Sequence, residues 1–279
     1  SSAIRVRNGN LVLSNGRKNE PLVVPWPWET PVLVELGWDG TGYELRAAYA
    51  LPEIEPVTAG EAAGVDLGEV HLAAVHDGSQ TTIFNGRLLR SKMRYRNRLL
   101  ARLSAKQSRM KKGSRRWKRL QRSKRKQLKK IGHQIRDILH KQTTALISAL
   151  HARRVQTVVI GDVRNLRQRV DYGSRMNQKI HQMVAGKVRW MITYKARRSG
   201  MRIELLDEAY TSQECPACGH RRKPQGRVYV CSSCGHCYHR DGVGAINIRK
   251  KYLGLGPVVG AMASPTGVRY RPHMRCSPR

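Results

Sequence analysis

The sequence predicts an α/β chain: a strand-rich opening segment, a mixed sheet layered with helices, and a small metal-binding insert ahead of a final helix. Three observations carry this. Short alternating strands with Asn-Gly and Asp-Gly turns run through residues 1–90, long helices follow, and single strands alternate with helices from Val155 onward. Five of the six cysteines lie between Cys215 and Cys237. The formal net charge is +34, with 53 Lys and Arg against 19 Asp and Glu, yet 40% of residues are hydrophobic, enough for a core.

In the first segment, Ile4-Arg5-Val6-Arg7 alternates, Asn8-Gly9-Asn10 turns and Leu11-Val12-Leu13 returns, a hairpin pattern. A second pair, Pro31 to Leu36 and Tyr43 to Tyr49, surrounds Trp38-Asp39-Gly40-Thr41-Gly42. Residues 1–58 therefore read as a partial β-barrel. Ser1 to Asn10 is polar and lacks the apolar core of a signal peptide.

Residues 59–90 give adjacent antiparallel strands, Ala63 to Gly68, Leu72 to Val75 and, past the turn Asp77-Gly78, Thr81 to Phe84, the first with Asp66 in its middle. Residues 91–152 give two long helices, the second from about Arg115. Apolar positions 131, 135, 138, 139, 145, 146, 149 and 150 follow a helical period. Val155 to Ile160 is a buried strand. A helix follows with Ile180, Val184, Val188 and Ile192 on one face, Arg197 and Arg198 in its last turn and Gly200 as its C′ glycine. Ile203 to Leu206 is another strand, and Gly242 to Leu253 the last helix. The tail from Leu255, rich in Gly, Pro and Arg, is expected to be loose. This order is that of an RNase H-like α/β layer. It divides the chain at 1–58, 59–209, 210–240, 241–254 and 255–279.

The charge is concentrated. Lys92 to Lys141 holds 21 Lys and Arg and one acid, Asp137. Like charges four residues apart destabilise a helix unless an anion offsets them, so this segment predicts nucleic-acid contact. Lys111, Lys112, Arg115, Arg116, Lys118 and Arg119 are the candidate phosphate contacts, and Trp117 either stacks on a base or joins a core. No apolar run approaches a membrane span, and no membrane partner is expected. Tightly clustered cysteines in a basic chain point to a reducing compartment, hence a cytoplasmic, nucleoid-associated protein.

The strongest motif is Cys215-x2-Cys218-x12-Cys231-x2-Cys234. Two close pairs of thiolates can close a tetrahedral shell around Zn²⁺ and leave no open position, so the metal is structural. His236, Cys237 and His239 are read as bystanders. The second constellation is acidic. A carboxylate in an apolar strand needs a metal or a cation, which singles out Asp66. Asp241 precedes the last helix and is either an N-cap or a ligand.

The joint order of Gly64-Val65-Asp66-Leu67-Gly68, Val158-Val159-Ile160-Gly161-Asp162-Val163, Tyr210-Thr211-Ser212-Gln213-Glu214-Cys215-Pro216, the four cysteines, and Asp241 with Ala245-Ile246-Asn247-Ile248 resembles TnpB, the transposon-encoded RNA-guided nucleases related to type V CRISPR effectors. The resemblance covers roughly residues 60–250. It implies a RuvC nuclease domain with a zinc ribbon inserted before the last acidic motif, preceded by a wedge-type barrel and a recognition domain. Residues 1–58 resemble only the later part of that barrel, and the recognition helices have no counterpart in the chain.

One departure falls in the active site. The family's second acidic motif has Glu followed by Asp; here Gly161 precedes Asp162. Strand alternation turns Asp162 away from Asp66 unless the strand ends there. Glu208, past the neighbouring strand, could reach over the space a glycine leaves free, and some branches of the family carry such a relocated glutamate. Asp66, Glu208 and Asp241 are the expected catalytic set and ligands of two Mg²⁺ ions, with Asp162 the competing second acid and an inactive site the third possibility. The resemblance implies a guide RNA and target DNA as partners. The alternative is a truncated or inactivated RNA- or DNA-binding protein.

Overall fold

A computed structural model describes residues 3–162, 173 and 184–257, and the backbone of 268–271. Ile180 of the expected helix face, Val163 and most of the tail fall outside the described residues. The chain forms two compact units.

The first unit comprises residues 1–53 and 106–127. Strands β1 (Ile4–Arg7), β2 (Asn10–Leu13) and β3 (Leu22–Pro25) form one antiparallel sheet, and β4 (Leu33–Trp38) and β5 (Tyr43–Ala48) another. Asn8 and Gly9 both have positive φ, 49° and 69°, the backbone that a two-residue hairpin turn requires. The carboxylate of Asp39 accepts from the backbone N–H of Thr41 and Gly42 and closes the other hairpin. Among the described residues no ladder joins the two sheets. The tips of two helices complete the unit: the end of α1 (Arg87–Ser108) and the start of α2 (Arg115–His151). They are tied by Gln107 donating to Gln121 at 2.6 Å.

The second unit is a six-stranded mixed sheet. Its strands are β6 (Ala62–Asp66), β7 (His71–His76), β8 (Thr81–Asn85), β9 (Thr157–Gly161), β10 (Arg202–Leu206) and β13 (Val268–Arg271), in the order β10-β9-β6-β7-β8-β13. Strands β11 (Val228–Val230) and β12 (Cys237–His239) form a separate hairpin. The pairs β6–β9 and β9–β10 are parallel; β6, β7 and β8 form an antiparallel meander.

Side-chain alternation assigns the two faces. Ala63, Val65, Val158 and Ile160 enter the main core with Ile138, Leu139 and Leu146 of α2 and Met191 and Ile192 of α3 (Ala185–Arg197). Ala62 and Val159 point the other way, onto Ile248 of α4 (Arg240–Leu253). Helix α3 ends as its sequence suggests, with Gly200 at φ 71°. Asp66 is the last residue of β6 rather than a mid-strand residue, because Gly68 turns the chain back toward β7.

Candidate functional site

Three separate elements deliver acids to one place. Asp66 ends β6, Glu208 lies two residues beyond β10, and Asp241 is the second residue of α4. Because β6 and β10 both run parallel to β9, their C-terminal ends share an edge, with Leu206 opposite Gly161. Alternation places Asp66 and Gly161 on the face that carries α4.

Close packing holds two of the carboxylates. A Cβ on Gly244 of α4 would lie 2.3 Å from Oδ2 of Asp66, so the carboxylate rests on bare backbone. A Cβ on Gly161 would lie 2.7 Å from Oε2 of Glu208 and 3.0 Å from Cδ1 of Ile248. The Glu208 carboxylate occupies the volume that any side chain at 161 would need.

The charges feel one another. Burial, then Glu208, then Asp241 push the Asp66 carboxyl up to about 7, against a partial offset from Arg240. Burial also raises Glu208, helped by Asp162 and Asp207. Burial acts upward on Asp241 too, but His71, His239 and Arg227 outweigh it and hold that carboxyl below its ordinary range. Asp162 takes a different partner: Arg189 of α3 donates to its carboxylate at 3.2 Å, and its backbone N–H donates to Leu206.

Asp241 is not the N-cap. His239 holds that position, its Nδ1 accepting from the Asp241 N–H, which frees the aspartate carboxylate to meet Nδ1 of His71 at 2.6 Å. Neither histidine was singled out for this edge from the sequence. His239 was assigned to the surroundings of the cysteines, and His71 opens an apolar strand with no motif around it. The chain has ten histidines and this strand carries two, His71 and His76, so composition offers no signal that singles out His71.

The cysteine cluster is local. The sulfurs of Cys215, Cys218, Cys231 and Cys234 lie within 4.8 Å of one another, with Cys215–Cys234 at 3.7 Å and Cys218–Cys231 at 3.6 Å. Tetrahedral Zn–S bonds of about 2.3 Å place sulfurs about 3.8 Å apart, so the cluster is compatible with structural zinc. Backbone N–H groups of Ala217 and Cys218 point at Cys215, and those of Ser233 and Cys234 at Cys231. The cluster packs through Tyr229 and Tyr238 onto Val243 and Ile246 of α4.

Lys111, Lys112, Arg115, Arg116, Lys118 and Arg119 are exposed, whereas Trp117 is half-buried. Arg115, Arg116, Lys118, Arg119 and Arg122 line a shallow concavity on α2. No helix among the described residues is long and apolar enough to cross a membrane.

Residues 46–167 match the OrfB family of IS605 elements, described as a probable transposase, and residues 186–248 match the Cas12f1-like TNB domain. A TnpB-like protein of Methanocaldococcus jannaschii is 31% identical over 44% of this chain and 44% of its own length. The "Putative RNA-guided DNA endonuclease InsQ" of Escherichia coli is 30% identical over 66% of this chain and 47% of its own. The chain belongs to the TnpB family. Among solved structures, a Cas12f1–sgRNA–target DNA complex aligns with a TM-score of 0.51 over 78% of this chain and 56% of that one, at 15% identity. A CRISPR-Cas12f ternary complex aligns at 0.53 over 86% and 44%, also at 15% identity. These two share the fold with the TnpB chain, which spans less than half the length of the two curated relatives above.

Proposed function

We propose that this chain is the nuclease part of an RNA-guided, Mg²⁺-dependent DNA endonuclease of the TnpB type. The observation that carries the reading is the Glu208 carboxylate lying over Gly161, on the face and edge where Asp66 and Asp241 also lie. The sheet with its flanking helices is read as an RNase H-like RuvC domain, the cysteine hairpin as a zinc ribbon, and the strands of residues 3–48 as part of a wedge-type barrel.

The donor set fits the metal. Oxygen ligands suit Mg²⁺, and of three half-buried carboxylates Asp66 is short of positive charge, its carboxyl raised by burial and then by Glu208 and Asp241. Asp66, Glu208 and Asp241 would hold two such ions. When bound, such ions activate water and stabilise the leaving oxygen of a phosphodiester. The chain's own part is positional. Gly244 and Gly161 let the Asp66 and Glu208 carboxylates sit close to the backbone, and His71 fixes that of Asp241. Arg189 pairs with the Asp162 carboxylate, whose charge also raises Glu208.

Sequence recognition falls to guide pairing, while the protein grips backbones. The exposed cations from Lys111 to Arg122 supply that grip for guide RNA or heteroduplex, in a cytoplasmic, nucleoid-associated setting. The test is to sequence the RNA that copurifies with the protein and to assay target cleavage with that RNA. A single scaffold with variable 3′ ends, and cleavage lost on Asp66→Asn, support the reading. Random cellular RNA and no cleavage would show a nucleic-acid-binding protein without guided activity.

A further inference from the structure

The edge that holds Asp241 is not purely carboxylate. His71, His239 and Asp241 each offer one ligand atom, and these atoms all lie within 4.8 Å of one another. His71, 5% exposed, comes from β7; its ring centroid is 5.4 Å from that of His239, at the end of β12. Two separate segments, β7 and the junction of β12 with α4, thus bring two imidazoles and a carboxylate to one point.

We propose that His71, His239 and Asp241 form a divalent-metal site of mixed imidazole and carboxylate character, selective for Mn²⁺ and later first-row ions over Mg²⁺. Metal–nitrogen and metal–oxygen bonds of about 2.0–2.2 Å allow two ligands on one ion to lie up to about 4.4 Å apart. Neighbouring ligands on one ion lie about 3 Å apart, so the 2.6 Å contact between His71 and Asp241 opens slightly to admit the ion while His239 draws in. Imidazole nitrogen suits Fe²⁺, Ni²⁺ and Zn²⁺, Mn²⁺ accepts mixed nitrogen and oxygen ligands, and Mg²⁺ prefers oxygen and keeps its waters. The site shares Asp241 with the three-carboxylate edge, which makes the two halves of the edge chemically unequal: oxygen ligands around Asp66 and Glu208, nitrogen-rich ligands around Asp241.

Two rearrangements accompany binding. His71 must present the Nδ1 lone pair, so its proton resides on Nε2 and the direct contact with Asp241 is replaced by a shared ion. The Arg227 guanidinium, 3.5 Å from Asp241 Oδ2, must withdraw. Its side chain is 51% exposed, so it can swing into water. The ion then replaces Arg227 as the positive charge beside Asp241.

The proposal builds on the nuclease reading only in sharing Asp241, and its test does not depend on cleavage. Mn²⁺ is added to protein that holds one zinc per chain and has been dialysed free of excess zinc, and nitrogen couplings to the bound ion are read by pulsed electron paramagnetic resonance. The expected result is a ¹⁴N coupling that converts to ¹⁵N in protein labelled only at histidine. It should vanish in the His71→Gln/His239→Gln variant, with Mn²⁺ affinity falling about 10- to 100-fold. It should persist in Asp66→Asn and Glu208→Gln, which remove the oxygen half of the edge. Labelled wild-type protein gives the answer even if the histidine variant fails to fold. Bound Mn²⁺ without nitrogen coupling would reduce the histidines to positioning residues and overturn the proposal. So would a coupling that survives the double substitution, or no Mn²⁺ binding by the folded wild-type chain. Loss of cleavage with the nitrogen coupling intact would instead count against the nuclease reading alone.

Discussion

The cysteine cluster and the carboxylate edge both gather acidic groups, and α4 touches both, yet they are built in opposite ways. The four sulfurs come from two tight turns within twenty residues, and backbone N–H groups of those same turns face them. The carboxylates come from β6, the segment after β10, and α4, up to 175 positions apart, and are placed by sheet topology. The cysteine turns carry their own support, whereas the edge borrows it from glycines at 161 and 244 and from the histidine at 71. A site closed by local turns answers to its metal; a site assembled by topology answers to the packing around it.

Removing zinc should give the largest effect. Structural zinc contributes on the order of 10 kcal/mol to small cysteine domains. Cys231→Ser, or a strong chelator, should unfold the hairpin and release Tyr229 and Tyr238 from α4. Metal content and near-ultraviolet circular dichroism would show it. A folded protein without zinc would break the contrast.

Next comes Glu208→Gln. It should lower cleavage roughly a thousandfold or more, the equivalent of about 4 kcal/mol in the barrier, while leaving nucleic-acid binding intact. Asp162→Asn should leave cleavage near wild type, since its carboxylate is engaged by Arg189. Loss with Asp162→Asn alone would return the second acid to β9.

The third test concerns stability. A carboxyl raised from 3.8 to about 7 favours its protonated form in the fold, so its contribution is intact below pH 3.8 and is lost as pH rises through about 7. Without Mg²⁺ and with zinc retained, Asp66→Asn should therefore match wild type in acid. It should exceed wild type above neutrality, by a few kcal/mol in order of magnitude. Denaturant melts at several pH values would measure this. Asp77 is the internal control: burial pulls it up, but the N–H groups of Gln80 and Ser79 together with Arg153 hold it below its usual range. Its contribution is present above the ordinary aspartate value and is lost as pH falls through its own lowered value, so Asp77→Asn should destabilise at neutral pH.

The smallest effect is expected outside both regions. Replacing Lys111, Lys112, Arg115 and Arg116 by neutral residues should reduce the slope of log affinity against log salt by about three to four units. An unchanged slope would move the binding surface away from α2.

The same contrast explains what could be read without coordinates. The cysteine cluster was legible because its geometry is fixed by spacing alone. Glu208 over Gly161 was legible because alternation and parallel pairing are rules of sheets, and a missing side chain leaves a volume to fill. His71 was not legible, since nothing local marks a histidine that acts across 170 positions. Asp241 looked like a helix cap because Asp is a good one; His239 took the position instead. Strand β3, unanticipated between prolines, pairs among the described residues only with β2, an edge position where Pro25 is tolerated.

One junction ties the two regions together in a way that bears on how such a chain can change length. Strand β12 ends at His239 and α4 begins at Arg240, with no residue to spare. An extra residue between Tyr238 and Asp241 would swing the aspartate about 100° around the helix axis and carry it away from His71. The stretch from Lys223 to Gly226 has no regular structure and can absorb extra residues. The hairpin can therefore grow or shrink on its outer side, while its inner side works as a fixed ruler that sets the phase of α4.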